Sequence, residues 1–235
     1  MKAIIKQIPV LRRLSYQFLL WYRDNTITEN GNGNSVQADG AQLERCRIRI
    51  SGSGNRLIFS PGSSVKDCEI EILGDHHTLL IGENVVLTQS VLWFEDHHCE
   101  IKIGNGTTMQ RNGHIAVTEP FRKINIGDNC MFSFNVDIRN GDSHTIYMQE
   151  SVKRVNWARN IEIGNHVWLG AHTQIIGGAQ IGENSIIGIR SLVNSAISEN
   201  SIAVGIPAKV VKTGFTWDNK RWQEGDPVIN QNNRV

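Results

Sequence analysis

The sequence predicts an all-β fold, a solenoid of parallel strands, and three observations predict it. First, an aliphatic residue returns every six positions from Ile163 through Leu169, Ile175 and Ile181 to Ile187. That period matches neither a helix nor an alternating strand and describes a ribbon that turns a corner every six residues. Second, Gly164, Gly170, Gly182 and Gly188 follow four of those five aliphatics, as suits corners where the backbone turns tightly and a side chain would crowd its neighbour. Third, the same pattern returns more loosely upstream. Phe59, Ile81, Ile103 and Ile126 advance by 22, 22 and 23 residues, and Cys46-x-Ile48-x-Ile50 reappears as Cys68-x-Ile70-x-Ile72. Three flats close one triangular coil of about eighteen residues, and stacked coils bury a continuous aliphatic core.

The elements follow in chain order. Residues 1–25 form the one convincing helical segment: from Pro9 the apolar positions Leu11, Leu14, Phe18 and Trp21 or Tyr22 keep helical spacing. Such a helix either caps the first coil or packs on a neighbouring subunit; its cationic residues also allow peripheral contact with a membrane surface. Residues 26–213 form the parallel coil domain. Its early coils exceed eighteen residues and carry small insertions, with IGENVV at 81, IGNGTT at 103 and IGDNCM at 126 as recognisable hexads. The pattern breaks over a loop at 141–160 and then resumes; a long loop interrupting a compact repeat is usually functional. Residues 214–235 read as a short helix, with Trp217 and Trp222 on its buried side, and a polar tail.

Composition narrows the function. Lys plus Arg number 24 and Asp plus Glu 23, so the near-zero balance gives no argument for nucleic-acid binding. The four cysteines, Cys46, Cys68, Cys99 and Cys130, form no CxxC pair or metal-ligand spacing and read as buried thiols of a reducing, cytoplasmic compartment. No apolar run approaches the roughly 18 to 20 residues of a membrane span. Arg12 and Arg13 interrupt the apolar N-terminal stretch before any secretory cleavage site.

The chemistry-bearing residues cluster in two places. The loop carries Asp142-Ser143-His144, and a regular hexad carries His166-Val167-Trp168-Leu169-Gly170. Over residues 100 to 214, NGDSHTIY followed by KRVNWARNIEIGNHVWLGA resembles the hexapeptide-repeat acyltransferases, and most closely their bacterial capsule and sialic-acid polysaccharide O-acetyltransferases. The resemblance implies a left-handed parallel β-helix, a homotrimer with each site between two coils, and acetyl-CoA as co-substrate. The handedness belongs to the resemblance, not to the repeat itself. It also implies a sugar or polysaccharide acceptor.

Acetyl transfer to a sugar hydroxyl needs a base for the hydroxyl proton and a donor for the oxyanion forming on the thioester carbonyl. A loop histidine titrates near neutral pH and can reach across a groove, and in the family the residue matching His144 is that base. Trp168 could polarise the acetyl carbonyl or position the sugar, and it lies beside the coenzyme as well; a packing role stays open. Asp142 could bind a sugar hydroxyl, orient His144, or serve only as a turn residue.

For the coenzyme, the resemblance carries over Ala171, Ile189 and Asn194 from the last coils and Lys209 and Lys212 from GIPAKVVK. The family has alanine where Ile189 stands and often threonine where Asn194 stands. Lysines suit a 3′-phosphate as point charges. Three further readings remain: an N-acetyltransferase of an amino-sugar nucleotide, a non-catalytic solenoid that organises partners, and a metal protein like the γ-class carbonic anhydrases. For the last, His76-His77 and His97-His98 read as a stacked surface ladder, and His166 and His172 stand six apart where the anhydrase pair stands five apart; no metal is expected.

Overall fold

The computed structural model describes residues 24–221 and Gln223. Three strand-forming flats per turn stack into three sheets of eight, eight and nine strands that form the faces of a triangular prism. The first face begins with Thr26–Asn30, the second with Ser35–Gln37 and the third with Gln42–Glu44. Each strand pairs in parallel with its counterpart one coil away, and the core lies inside the prism. Along the first face the register advances by 21 to 23 residues per coil, jumps by 37 across the excursion, and then settles at 18. The inward column foreseen from the repeat is present, with Phe59 paired to Ile81, Ile81 to Ile103 and Ile103 to Ile126. Phe59, Ile81, Ile103, Ile126, Ile163 and Ile181 are all buried, and this continuous apolar column is what holds successive coils together.

The corners refine the reading of the glycines. Gly164, Gly170 and Gly182 sit where an added Cβ would come within 2.4–2.8 Å of the backbone nitrogen of Glu183, Ile189 or Glu199 in the next coil, so crowding is their reason. The tight turn itself falls two residues later, on His166, His172, Asn184 and Arg190, which take φ of 54–61°. Asparagine and histidine tolerate this left-handed conformation better than branched residues do.

The histidine ladder is also resolved. His76 stacks on His98 at 4.8 Å and His98 on Phe121 at 4.8 Å, forming an exposed column. His77 is instead buried within the coil, where its Nδ1 accepts the Cys99 amide at 3.2 Å and desolvation lowers its pKa. The four cysteines are buried free thiols; desolvation pushes Cys68 up to about 12 and Cys99 and Cys130 up to about 11.

The two ends depart from the sequence expectation or escape it. The N-terminal helix lies outside the described residues but for Asp24 and Asn25, and the membrane contact expected of it lies there too. Residues 214–221 are not helical. After the hairpin of Ser201–Gly205 with Ala208–Thr213, which ends the third face as its one antiparallel pair, this segment runs back along the prism. It is held extended because the Trp217 indole stacks on the His166 ring at 4.2 Å and donates Nε1–H to the His166 carbonyl at 2.7 Å. Those tertiary contacts override any local helical preference; Trp222 lies outside the described residues. Among the described residues no helix is long and apolar enough to cross a membrane.

Candidate active site

The excursion leaves the prism after the first-face strand Asp137–Arg139 and rejoins it at the second-face strand Ile161–Ile163. Its root is fixed by buried Asn140, whose Oδ1 accepts the Thr118 amide at 2.8 Å and whose Nδ2 donates to the Thr118 carbonyl at 3.0 Å. Gly141 lies so close to Ala158 that a Cβ there would come within 2.8 Å of the alanine methyl. Beyond the root the chain forms a small hairpin: Tyr147 bridges Arg154, and the Val155 amide donates to the Ile146 carbonyl at 2.9 Å. Arg154 pairs with Glu119 of the preceding coil and lies 4.3 Å over the Trp157 ring.

His144 sits on this excursion with its imidazole exposed. Asp142 does not bond its ring. Instead Asn156 Nδ2 donates both to Asp142 Oδ2 at 2.8 Å and to the His144 carbonyl at 2.7 Å, while Asn156 Oδ1 accepts the Ile146 amide at 2.8 Å. One asparagine therefore sets the backbone on both sides of His144. Sequence reasoning missed it, because the Asn of RVNW differs in no local way from any turn residue. Ser143 ties the loop back to the coil by donating to Glu95 Oε2 at 2.7 Å.

Trp168 points outward from the third face, in a row that runs Met131, Trp168, Ile186, Ile202 and finally Lys212 across successive paired strands. Three strand spacings of about 4.8 Å put the Lys212 backbone about 14 Å from that of Trp168. The Trp168 ring also lies 6.0 Å from Trp217, a neighbour that the helical expectation for residues 214–235 concealed. Ala171 and Ile189 occupy equivalent corner positions one coil apart, the Arg190 amide donating to the Ala171 carbonyl at 2.9 Å; their own amides donate to no group among the described residues. Asn194 is exposed, as are Lys209 and Lys212, and Lys212 Nζ lies 5.6 Å over Phe215. His166 and His172 stand on different corners: His166 Nδ1 bonds Asn184 Oδ1 at 2.9 Å, whereas the His172 ring lies edge-on to Phe134.

Two groups of residues thus emerge, and within one chain they stay apart. Asp142 and His144 project from the corner between the first and second faces; Trp168, Ala171, Ile189 and the lysines gather on or beside the third face, opposite that corner.

The parallel coil with its hexad repeat is the architecture of the hexapeptide transferases. The profile described as bacterial transferase hexapeptide (six repeats) matches residues 160–193. A polysialic acid O-acetyltransferase of Neisseria meningitidis is 30% identical over 209 residues, covering 87% of this chain and 96% of the relative. A polysialic acid O-acetyltransferase of Escherichia coli O1:K1 / APEC is 31% identical over 118 residues, 50% of this chain and 38% of that one. The solved polysialic acid O-acetyltransferase OatWY superposes with a TM-score of 0.80 at 29% identity, covering 87% of this chain and 98% of that chain. The polySia specific acetyltransferase NeuO gives 0.77 at 27% identity, with 86% and 92% covered. The chain belongs to the hexapeptide-repeat O-acetyltransferases.

Proposed function

We propose that the protein transfers acetyl from acetyl-CoA to a hydroxyl of a sugar in a bacterial surface polysaccharide, in the cytoplasm and as a homotrimer with left-handed coils. The relatives and structures named for polysialic acid make that polymer the first acceptor to test. The observation that carries the reading is the rooted excursion: a coil otherwise built of closely stacked short strands spends a clamped hairpin on presenting one histidine to solvent.

The residues fit the donor. Unpaired amides at Ala171 and Ile189 would hold its polar chain, the row from Trp168 through Ile186 to Ile202 offers an apolar wall, and Lys209 and Lys212 would meet the polar, phosphate-bearing end; Asn194, at the corner between the first and second faces, would reach the donor from the neighbouring copy. Acetyl-CoA supplies an already activated acyl group, so no covalent enzyme intermediate is needed. His144 takes the proton from the sugar hydroxyl at its imidazole nitrogen as the new ester forms, and gives it to the coenzyme A thiolate that leaves as the C–S bond breaks. The Trp168 indole orients the acyl end of the donor, and Asp142 holds the loop backbone through Asn156. Because His144 and Trp168 stand on opposite sides of one prism, they act together only across the boundary between two copies, which supports the trimer.

The test combines acetyl-CoA with polysialic acid, other capsule fragments and nucleotide sugars, following free thiol and the ester product. Product on a hydroxyl is expected, and His144→Ala lowers turnover by at least about a hundredfold with the thermal midpoint unchanged. Transfer to an amine instead would establish an N-acetyltransferase, and near-normal turnover without His144 would end the proposed mechanism.

A further inference from the structure

At the root of the excursion, on the first face, lies a cavity of about 310 Å3 lined by Trp93, Glu95, His114, Arg139, Asp142 and Ser143 among others. None of Trp93, Glu95, His114, Arg139 or Ser143 has a role in the chemistry described so far. Its volume stands at the lower end of the roughly 300–1,000 Å3 typical of small-ligand sites.

The lining is built, not incidental. Trp93 faces out of the first sheet, half-buried, and its Nε1–H donates to Glu95 Oε1 at 3.0 Å while Ser143 donates to Oε2, so one carboxylate joins the coil wall to the loop. His114 Nδ1 bonds Asp137 Oδ1 at 2.8 Å, and Arg139 Nε donates to Asp137 Oδ2 at 3.0 Å. With Nδ1 engaged by Asp137, His114 leaves its Nε2 without a partner among the described residues, free to hydrogen-bond a hydroxyl, which can donate or accept. The cavity thus combines an indole wall, the acceptors Glu95 and Asp142, the free Nε2 of His114, and the remaining N–H groups of Arg139. An aromatic face beside interleaved donors and acceptors suits a ring that bears several hydroxyls. Two carboxylates line the same cavity, so a sugar that bears an acid group has to turn that group to Arg139 and its hydroxyls to Glu95 and Asp142.

We infer that this cavity is a subsite for a pyranose unit of the acceptor, a neighbour of the unit acetylated. The lining stops short of His144, two residues beyond Asp142, so a sugar seated here is not the one whose hydroxyl meets the base; it anchors the chain alongside. The subsite makes the enzyme prefer oligosaccharides to monosaccharides. This rests on the polysaccharide O-acetyltransferase reading, but it is tested by binding, without turnover.

The experiment measures equilibrium binding of sialic acid oligomers of increasing length to the full-length protein and to Trp93→Ala, Trp93→Phe and His114→Ala. Oligomers are expected to bind wild type at least about tenfold more tightly than the monomer. Trp93→Ala and His114→Ala should erase that gain, Trp93→Phe should keep most of it, and acetyl-CoA should bind all four alike, which reports intact folding. Variants that bind oligomers as wild type does, or a wild type that gains nothing from length, overturn the subsite. Failure of the wider reading looks different: no acetyl ester forms on any glycan, whatever binds.

Discussion

Asn156 offers the most direct test of how the excursion presents His144. Replacing it with alanine removes four hydrogen bonds, to Asp142 Oδ2, to the His144 carbonyl, from the Ile146 amide and a long one from Arg154 Nε at 3.5 Å. A typical net contribution is about 0.5–1.5 kcal/mol each. The side chain is half-buried, so the lower part of that range applies and the sum is about 2 kcal/mol. At about 1.4 kcal/mol per factor of ten, the equilibrium between the ordered hairpin and open forms shifts by about thirtyfold. If only the ordered hairpin aligns His144 with a hydroxyl, and ordered and open forms are about equally populated in the wild type, kcat should fall by about fifteenfold. The prism core does not involve Asn156, so the thermal midpoint should move by no more than about 2 °C. Asn156→Asp keeps an acceptor for the Ile146 amide but sets a second carboxylate against Asp142, and should be at least as damaging at neutral pH. Initial rates of thiol release at saturating acceptor, with acetyl-CoA affinity measured separately, provide the assay. Wild-type kcat in Asn156→Ala would refute the claim that this hydrogen-bond set positions the base.

Two further outcomes follow from the third face and from the separation of the two residue groups. Reversing charge at Lys209 or Lys212 to Glu should raise KM for acetyl-CoA more than for a donor lacking the 3′-phosphate, since both lysines are exposed on the strand that ends the third face; equal effects on both donors would return them to ordinary surface. The mass of the active species in solution should be three times that of the 26.3 kDa chain, and full activity from a monomer would break the argument that His144 and Trp168 meet only across two copies.

The solenoid was legible because its physics is periodic. A hexad fixes which residue points inward at every turn, so the register of Phe59, Ile81, Ile103 and Ile126 follows from counting, and the stacking of Cys46 over Cys68 follows with it. The same periodicity misled by one residue at the histidines. The true step of 22 sets His76 over His98 and the buried His77 over Cys99, whereas pairing the two dipeptides as units assumes a step of 21. The C-terminal segment was misread for a different reason: two tryptophans five residues apart carry no mark that one of them, Trp217, will lie flat on a histidine 51 residues upstream.

The site divides along the same line. Residues carried by a motif, His144, Trp168 and the GIPAKVVK lysines, could be named from the sequence because their neighbours in the chain identify them. Asn156, Glu95 and the His114–Asp137 pair could not, because what gives them meaning is contact across 12 to 48 residues. Coil stacking creates such contacts systematically: any residue one step along a face lies about 4.8 Å from its counterpart, so a first-face position such as His114 meets Asp137 from the next coil by register alone. Where the step is constant these neighbours can be computed from the sequence. At the excursion it jumps to 37, and there the chain can bring together groups that no fixed period would align. That break is where His144, the Asn156 clamp and the Trp93 cavity all lie.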